Sequence, residues 1–280
     1  MKERIKNILK KFRVYHPLQS LYRAIIFSGK NKWHRLLYKK YEGRGFICNN
    51  CGAQYEKFVD DQPGTENREA LQKHQVIAGY GENIICPNCM STARERLVLA
   101  MLNELNLQDK AVLHFSPEKN IHAFIKRYAA VTTADLSPGF YRPIDAKIQK
   151  ADATGLVFAD HSFDLVIANH IMEHIPDDKK ALAEIFRVLK PGGSAVLQVP
   201  YSEVIPATLE NPAIDDPGMQ SKLYGQKDHV RIYALDDYIS RLQLVGFDVT
   251  KIGYEELQHL YPNAIQKKES FLKIQKPVTA

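Results

Sequence analysis

The sequence predicts an α/β fold, a doubly wound and mostly parallel sheet with helices on both faces. Short apolar runs alternate with helical patterns, as βα units require. Several runs end abruptly in polar residues: Ala130–Ala134 in Asp135, Ile148–Ala151 in Asp152, and Phe163–Ala168 in Asn169 and His170. From Asp164 to Gly193 the rest of a buried strand, an amphipathic helix and a Pro-Gly-Gly stop follow one another in a single unit.

In chain order, a basic arm comes first. Residues 1–44 carry 13 Lys and Arg against Glu3 and Glu42, a charge of +11 in a chain whose net is +6. Ile5, Ile8, Leu9 and Phe12 form one helical stripe, and Leu18, Leu21, Tyr22 and Ile25 form a second after Pro17. Such an arm can pack on its own chain, lie on an anionic membrane surface or guide RNA. Trp33, Tyr38 and Tyr41, set among Lys32, Arg35, Lys39 and Lys40, suit an interfacial anchor.

All four cysteines fall in two knuckles, Cys48-Asn-Asn-Cys51-Gly52 and Cys86-Pro-Asn-Cys89, with 34 residues between them. Each tight pair supplies half a thiolate tetrahedron, so residues 45–92 read as a zinc-ribbon-like module with a structural zinc; the ligands alone would also accept iron. Thr92 and Glu95 form a capping-box pattern that opens a helix with Leu97, Met101 and Leu105 on one stripe. Arg94 and Arg96 in its first turns read as anion contacts or as a solvated face.

Beyond this helix, Ala111–Phe115 reads as a strand, a helix starts near Asn120, and the strands ending in Asp135 and Asp152 follow. After Pro176, Asp177 or Asp178 caps a helix with Leu182, Ile185, Phe186 and Leu189 on its apolar side. Lys190, Pro191, Gly192 and Gly193 are expected to end it, and Ser194–Val199 to resume as a strand. A long polar excursion from about Tyr201 leads to an extended segment ending at Tyr233, with His229, Arg231 and Tyr233 on one side. No apolar run approaches the roughly 20 residues of a membrane span, and the N-terminus has no signal-peptide pattern. A cytoplasmic protein is expected, peripheral at the inner membrane face if the arm lies on lipid.

The strand, the NHxxEH loop, the helix and the RVLKPGG turn together resemble class I S-adenosylmethionine-dependent methyltransferases of the type 11 branch. The LHFxPE loop at Leu113–Glu118, the four-cysteine module and the GQxDHVRxY segment at Gly225–Tyr233 are similar to one variant of that branch. The resemblance runs from about Val98 to the C-terminus. It implies a Rossmann-like, seven-stranded sheet closed by an antiparallel hairpin, a methyltransferase domain over residues 93–280, and S-adenosyl-L-methionine as cofactor.

By the same resemblance, Asp135 would accept the ribose hydroxyls, Asp152 with Ala153 would meet the adenine, and Asn169 and His170 would line the floor near the methyl group. In the glycine-free loop carrying His114, Ser116 and Glu118, the last two would hold the methionine moiety, Glu118 pairing with its ammonium. Lacking glycine, that turn is not expected to take positive φ easily. His229 is the first candidate general base and His170 the second, for a hydroxyl acceptor; Arg231 would bind an acceptor carboxylate or phosphate beside Tyr233. His170-Ile-Met-Glu173-His174 also spells the HxxEH of a zinc protease. That match is rejected, because it starts at a strand end and meets Pro176 too soon for one continuous helix. The implied activity is methylation of a small-molecule, sugar or lipid-linked acceptor at oxygen. RNA methylation, guided by the module and the arm, and a non-catalytic scaffold are the alternatives.

Overall fold

The computed structural model describes residues 29–279, so the two apolar stripes between Ile5 and Ile25 lie outside it. Seven strands build the centre: β1 (Ala111–Phe115), β2 (Ala130–Asp135), β3 (Gln149–Lys150), β4 (Phe163–Ile167), β5 (Leu189–Val196), β6 (Asp248–Ile252) and β7 (Phe271–Gln275). Their order is β6-β7-β5-β4-β1-β2-β3, with β7 antiparallel to both its neighbours, β6 and β5, and the other pairs parallel. The doubly wound sheet and its closing hairpin are as expected.

Alternation along the strands divides the core into two layers. Leu113, Val166 and Ala195 pack on one face against Leu182 and Ile185 of the helix Asp178–Val188 and Leu242 of the helix Leu235–Val245. Val112, Leu165, Ile167 and Val196 pack on the other against Leu97 and Leu102 of the helix Ala93–Asn103 and Ile121 of the helix Lys119–Ile125. Burial on both faces explains why these strands are continuous apolar runs. Asp177 caps its helix by accepting from the Lys180 amide.

The stop after that helix differs from expectation. The helix ends at Val188 and β5 begins at Leu189; Lys190 to Gly193 then loop out of the ladder, since Leu189 pairs with Phe163 and Ser194 with Leu165. Gly193 is required here, because a Cβ would meet the Lys190 carbonyl oxygen at 2.8 Å.

The cysteine module consists of two small antiparallel pairs, Glu42–Ile47 with Gln54–Tyr55 and Val59–Asp61 with Gly81–Ile85. The boundary expected between residues 44 and 45 therefore falls inside a strand. Tyr38 and Tyr41 pack on the module's core of Tyr55 and Phe58 rather than standing free as a membrane anchor, whereas Trp33 is exposed.

Arg96 is neither a solvated residue nor an anion contact. It is fully buried, stacks over Phe58 at 4.8 Å, and donates to the carbonyls of Asn263 (2.7 Å), Ser91 (2.5 Å), Ile84 (3.0 Å) and Ala264 (2.6 Å). Carbonyl oxygens satisfy the buried guanidinium fork, so its charge needs no adjacent carboxylate to justify its place. Gln266 completes the seam, accepting from the Gly79 amide and donating to the Tyr80 carbonyl. The module is thus fastened to both the first helix of the sheet domain and the segment before β7.

The excursion after β5 folds into a three-stranded sheet. Arg231–Ala234 lies at its centre, parallel to Tyr201–Ser202 and antiparallel to Leu209–Glu210. All four central residues are buried.

Candidate functional site

The strand order reverses between β1 and β4, and a crevice of about 770 Å³ opens over the carboxyl ends of β1 to β4. Open α/β sheets bind ligands at such a reversal. Six of the residues singled out from sequence line it together: Ser116, Glu118, Asp135, Asp152, Asn169 and His170, with Ala153 beside them.

The first turn does adopt positive φ, contrary to expectation: Ser116 stands at φ 43° without being glycine. His170, one strand over, stands at 54°. A non-glycine residue in this region costs about 1–2 kcal/mol, and such outliers persist where surrounding contacts overdetermine them. Those contacts are visible at Ser116, whose amide donates to the Ala134 carbonyl and whose hydroxyl donates to Asp135 at 2.5 Å. The other Asp135 oxygen accepts from the Ser137 amide. Asp152 accepts from the amide and hydroxyl of Thr154, which together hold its carboxyl below the usual range.

Glu118 is the most constrained carboxylate of the crevice. It accepts from Asn169 Nδ2 at 2.8 Å and meets His114 Nε2 at 2.9 Å. Burial is the largest influence and raises its pKa, but the His114 contact, the nearby Arg94 and the Asn169 hydrogen bond together hold it below the usual carboxylate range. His114 itself is fully buried and does not line the crevice; it orients Glu118 rather than touching a ligand. Leu136, Phe140, Tyr141 and Ile144 form an apolar wall that sequence reasoning missed. The only sequence signal for it was an apolar cluster in the loop following Asp135.

At the other end, the crevice is lined by Arg94, His174, Gln226 and Asp228. Three expectations fail there. Arg231 is spent on structure: it pairs with Glu210 at 2.7 Å and donates to the carbonyls of Met172, Ile175 and Pro176. Tyr233 donates to Asp178 at 2.7 Å in the same buried network. His229 is buried outside the crevice, and burial pushes its imidazole down to about 4, too weakly basic to suit a general base at neutral pH. His170 remains on the crevice wall, with Nδ1 3.6 Å from Glu173 and Nε2 without a hydrogen-bond partner among the described residues. Glu173 and His174 lie in one short 3-10 turn, Met172–His174, which agrees with rejecting a protease helix.

Glu269 lies buried with one carboxyl oxygen unpartnered among the described residues, and burial raises its pKa to about 7 against the pull of Arg94. In the unfolded chain this group ionises near pH 4.5, while the folded state keeps its proton until about 7, so stability falls as pH rises through that window. Glu269→Gln is expected to abolish the fall and to be more stable than the parent by about 2–4 kcal/mol at pH 8. Urea denaturation at pH 5 and pH 8 measures it; parallel pH profiles for the two proteins would refute it.

The four cysteines converge. Their sulfurs lie within 4.8 Å of one another, with Cys48 and Cys89 at 3.6 Å and Cys51 and Cys86 at 3.8 Å. Tetrahedral bonds of about 2.3 Å to one ion would put the sulfurs roughly 3.8 Å apart. The knuckles repeat one geometry: Gly52 donates to the Cys48 carbonyl and Met90 to the Cys86 carbonyl, both at positive φ. Asn50 donates to Cys89 Sγ and Asn88 to Cys51 Sγ, each at 3.3 Å, the kind of contact that stabilises thiolates.

Residues 117–197 match the family model described as a methyltransferase domain. Over 62 residues the chain is 45% identical to a demethylmenaquinone methyltransferase of Renibacterium salmoninarum, an overlap covering 22% of this chain and 26% of that protein. Over 114 residues it is 26% identical to the uncharacterised methyltransferase YcgJ of Bacillus subtilis, 41% of each. An 84-residue stretch, 30% of this chain and 28% of the relative, is 36% identical to a malonyl-[acyl-carrier protein] O-methyltransferase of Coxiella burnetii. The chain thus spans roughly a quarter to two fifths of the length of these relatives. The crystal structure of YcgJ superposes with a TM-score of 0.45 at 16% identity, over 66% of this chain and 98% of that one.

Proposed function

We propose that this chain transfers a methyl group from S-adenosyl-L-methionine to an oxygen of a small-molecule, sugar or lipid-linked acceptor. The observation that carries the reading is the convergence of Asp135, Asp152 and the Ser116–Glu118 turn on one crevice at the strand reversal, all but Ser116 within the stretch matched by the methyltransferase-domain model. The cofactor, when bound, supplies an electrophilic methyl on a sulfonium that is its own leaving group. The protein's share is to align acceptor and methyl and to exclude water.

The residues fit that group. Asp135 keeps acceptor capacity for two ribose hydroxyls, being approached on each oxygen by only one donor. Asp152 would accept from the adenine amino group, with the apolar wall and Ala153 offering a surface for the ring. Glu118, held by His114 and Asn169, would receive the ammonium, and Ser116 would bring its backbone close to the methionine portion. Of the two histidines put forward as base, His170 is retained for its place on the crevice wall, although burial lowers its pKa as it does that of His229. Glu173 behind its Nδ1 would steady the ring while Nε2 receives the acceptor's proton.

Two of the curated relatives are named for demethylmenaquinone and malonyl-[acyl-carrier protein], which supports a small or carrier-linked acceptor here. Residues 1–28 alone carry the net charge of +6, leaving 29–280 formally neutral, a poor electrostatic match to RNA. No helix among the described residues is long and apolar enough to cross a membrane. We assign a structural zinc to Cys48, Cys51, Cys86 and Cys89, closed to substrate by its four thiolates.

Titration calorimetry of the zinc-replete chain with S-adenosylhomocysteine tests the reading. Saturable binding of one equivalent is expected; a folded chain that takes up neither this product nor the cofactor is a scaffold.

A further inference from the structure

A second group of metal-type ligands lies beside the crevice, outside the cysteine centre. Glu173, His174 and His229 bring one ligand atom each within 4.8 Å of the others. The carboxylate is almost wholly buried, and its Oε2 has no hydrogen-bond partner among the described residues. Around Oε1 stand His174 Nε2 and His229 Nε2, each at 4.0 Å, and His170 Nδ1 at 3.6 Å. All three separations exceed the 2.7–3.2 Å or so of a hydrogen bond, so a buried charge is ringed by nitrogens that do not satisfy it.

The tautomer of His174 points the same way. Its Nδ1 lies 3.0 Å from the Asp228 carbonyl and can only donate there, which leaves Nε2 with a lone pair on the Glu173 side. A backbone carbonyl fixing one ring nitrogen is how ligating histidines are commonly oriented. The Val230 amide donates to the Glu173 carbonyl and so ties the turn bearing His229 to the turn bearing the other two ligands. Bonds of about 2.0–2.2 Å to a single tetrahedral ion place ligand atoms roughly 3.3–3.6 Å apart, so the two carboxylate–imidazole separations of 4.0 Å need contract by about half an ångström, and the imidazole–imidazole separation, within 4.8 Å, by no more than about 1.5 Å. A cavity of about 130 Å³ lined by these three residues shares Arg94, His170, His174 and Gln226 with the crevice.

We propose that Glu173, His174 and His229 bind one divalent first-row transition ion with a coordination position open to the acceptor end of the crevice, where an oxygen of the acceptor would be its further ligand. Two imidazoles and a carboxylate suit zinc, cobalt, nickel or iron rather than calcium or magnesium. The site itself stands independently of methyl transfer; only the acceptor's part rests on the function proposed above.

The test uses the full chain, first loaded with one equivalent of zinc to fill the thiolate centre and then titrated with Co²⁺. The expected result is a second metal per chain, giving d–d absorption without the thiolate-to-cobalt charge-transfer band. His229→Ala and Glu173→Gln are each expected to weaken Co²⁺ binding by roughly 100-fold while one zinc per chain remains. Should a variant fail to fold, pulsed electron paramagnetic resonance of the Co²⁺-loaded parent decides, through imidazole nitrogen coupling. One metal per chain in the parent, or a second metal without such coupling, overturns the site. S-adenosylhomocysteine binding measured on the same samples tests the methyltransferase reading separately, since its absence leaves the metal count unaffected.

Discussion

Cys86→Ser, or exhaustive chelation at neutral pH, is expected to unfold the module between Glu42 and Ser91 and to lower the thermal midpoint of the whole chain by about 10 °C or more. The module's core is little more than Tyr55, Phe58, the buried cysteines and the aromatic rings of Tyr38, Tyr41 and Phe46, too small to stand without a cross-link. A four-thiolate ion contributes on the order of 10–16 kcal/mol of apparent binding energy, far more than a segment of this size retains otherwise. The effect spreads because Arg96 depends on the module for part of its hydrogen bonding, and leaving that guanidinium buried and half satisfied costs about 3–5 kcal/mol. Elemental analysis and calorimetric scans measure both parts. An unchanged midpoint in metal-free protein would remove the ion from the account of stability.

Asp135→Ala is expected to weaken S-adenosylhomocysteine binding by roughly 30- to 1000-fold. Two charge-assisted hydrogen bonds to ribose hydroxyls are lost, together worth about 2–4 kcal/mol after exchange with water. The same carboxylate also fastens the Ser116 turn, so part of the loss comes from a loosened loop. Ser116→Gly separates the two contributions. It removes the hydroxyl bond and the positive-φ cost while leaving Asp135 in place, and a decrease of no more than about tenfold is expected. Equal losses in the two variants would mean that Asp135 acts only by holding the turn.

The legible parts of the sequence were those whose signal is local. Runs such as Leu165 to Ala168 announce a strand buried on both faces, and the Thr92–Glu95 capping box forms as its residues indicate. The cysteine spacing foretold the convergence of the sulfurs, and strand ends foretold the crevice carboxylates. What failed depended on partners remote in sequence. Arg96 looked like any charged residue in a first turn, because the carbonyls it binds at Asn263 and Ala264 leave no trace near residue 96. The alternation around Arg231 and Tyr233 suggests a side turned toward the acceptor. The strand is instead flanked by partners on both edges and buried throughout, so polar residues there find partners inside the protein. Absence of glycine in the first turn argues against an easy positive φ, yet the Ala134 carbonyl and Asp135 hold a serine there.

The seam between module and sheet has a consequence for biosynthesis. Asn263 donates to the Ile47 carbonyl across 216 positions, and Gln266 reaches back 187 positions to Gly79. A ribosome has therefore released the cysteine knuckles long before it makes the residues that brace them. The nascent knuckles must wait, ion bound or not, until Asn263 and Gln266 emerge, and contacts of such span make their final docking a late and slow event.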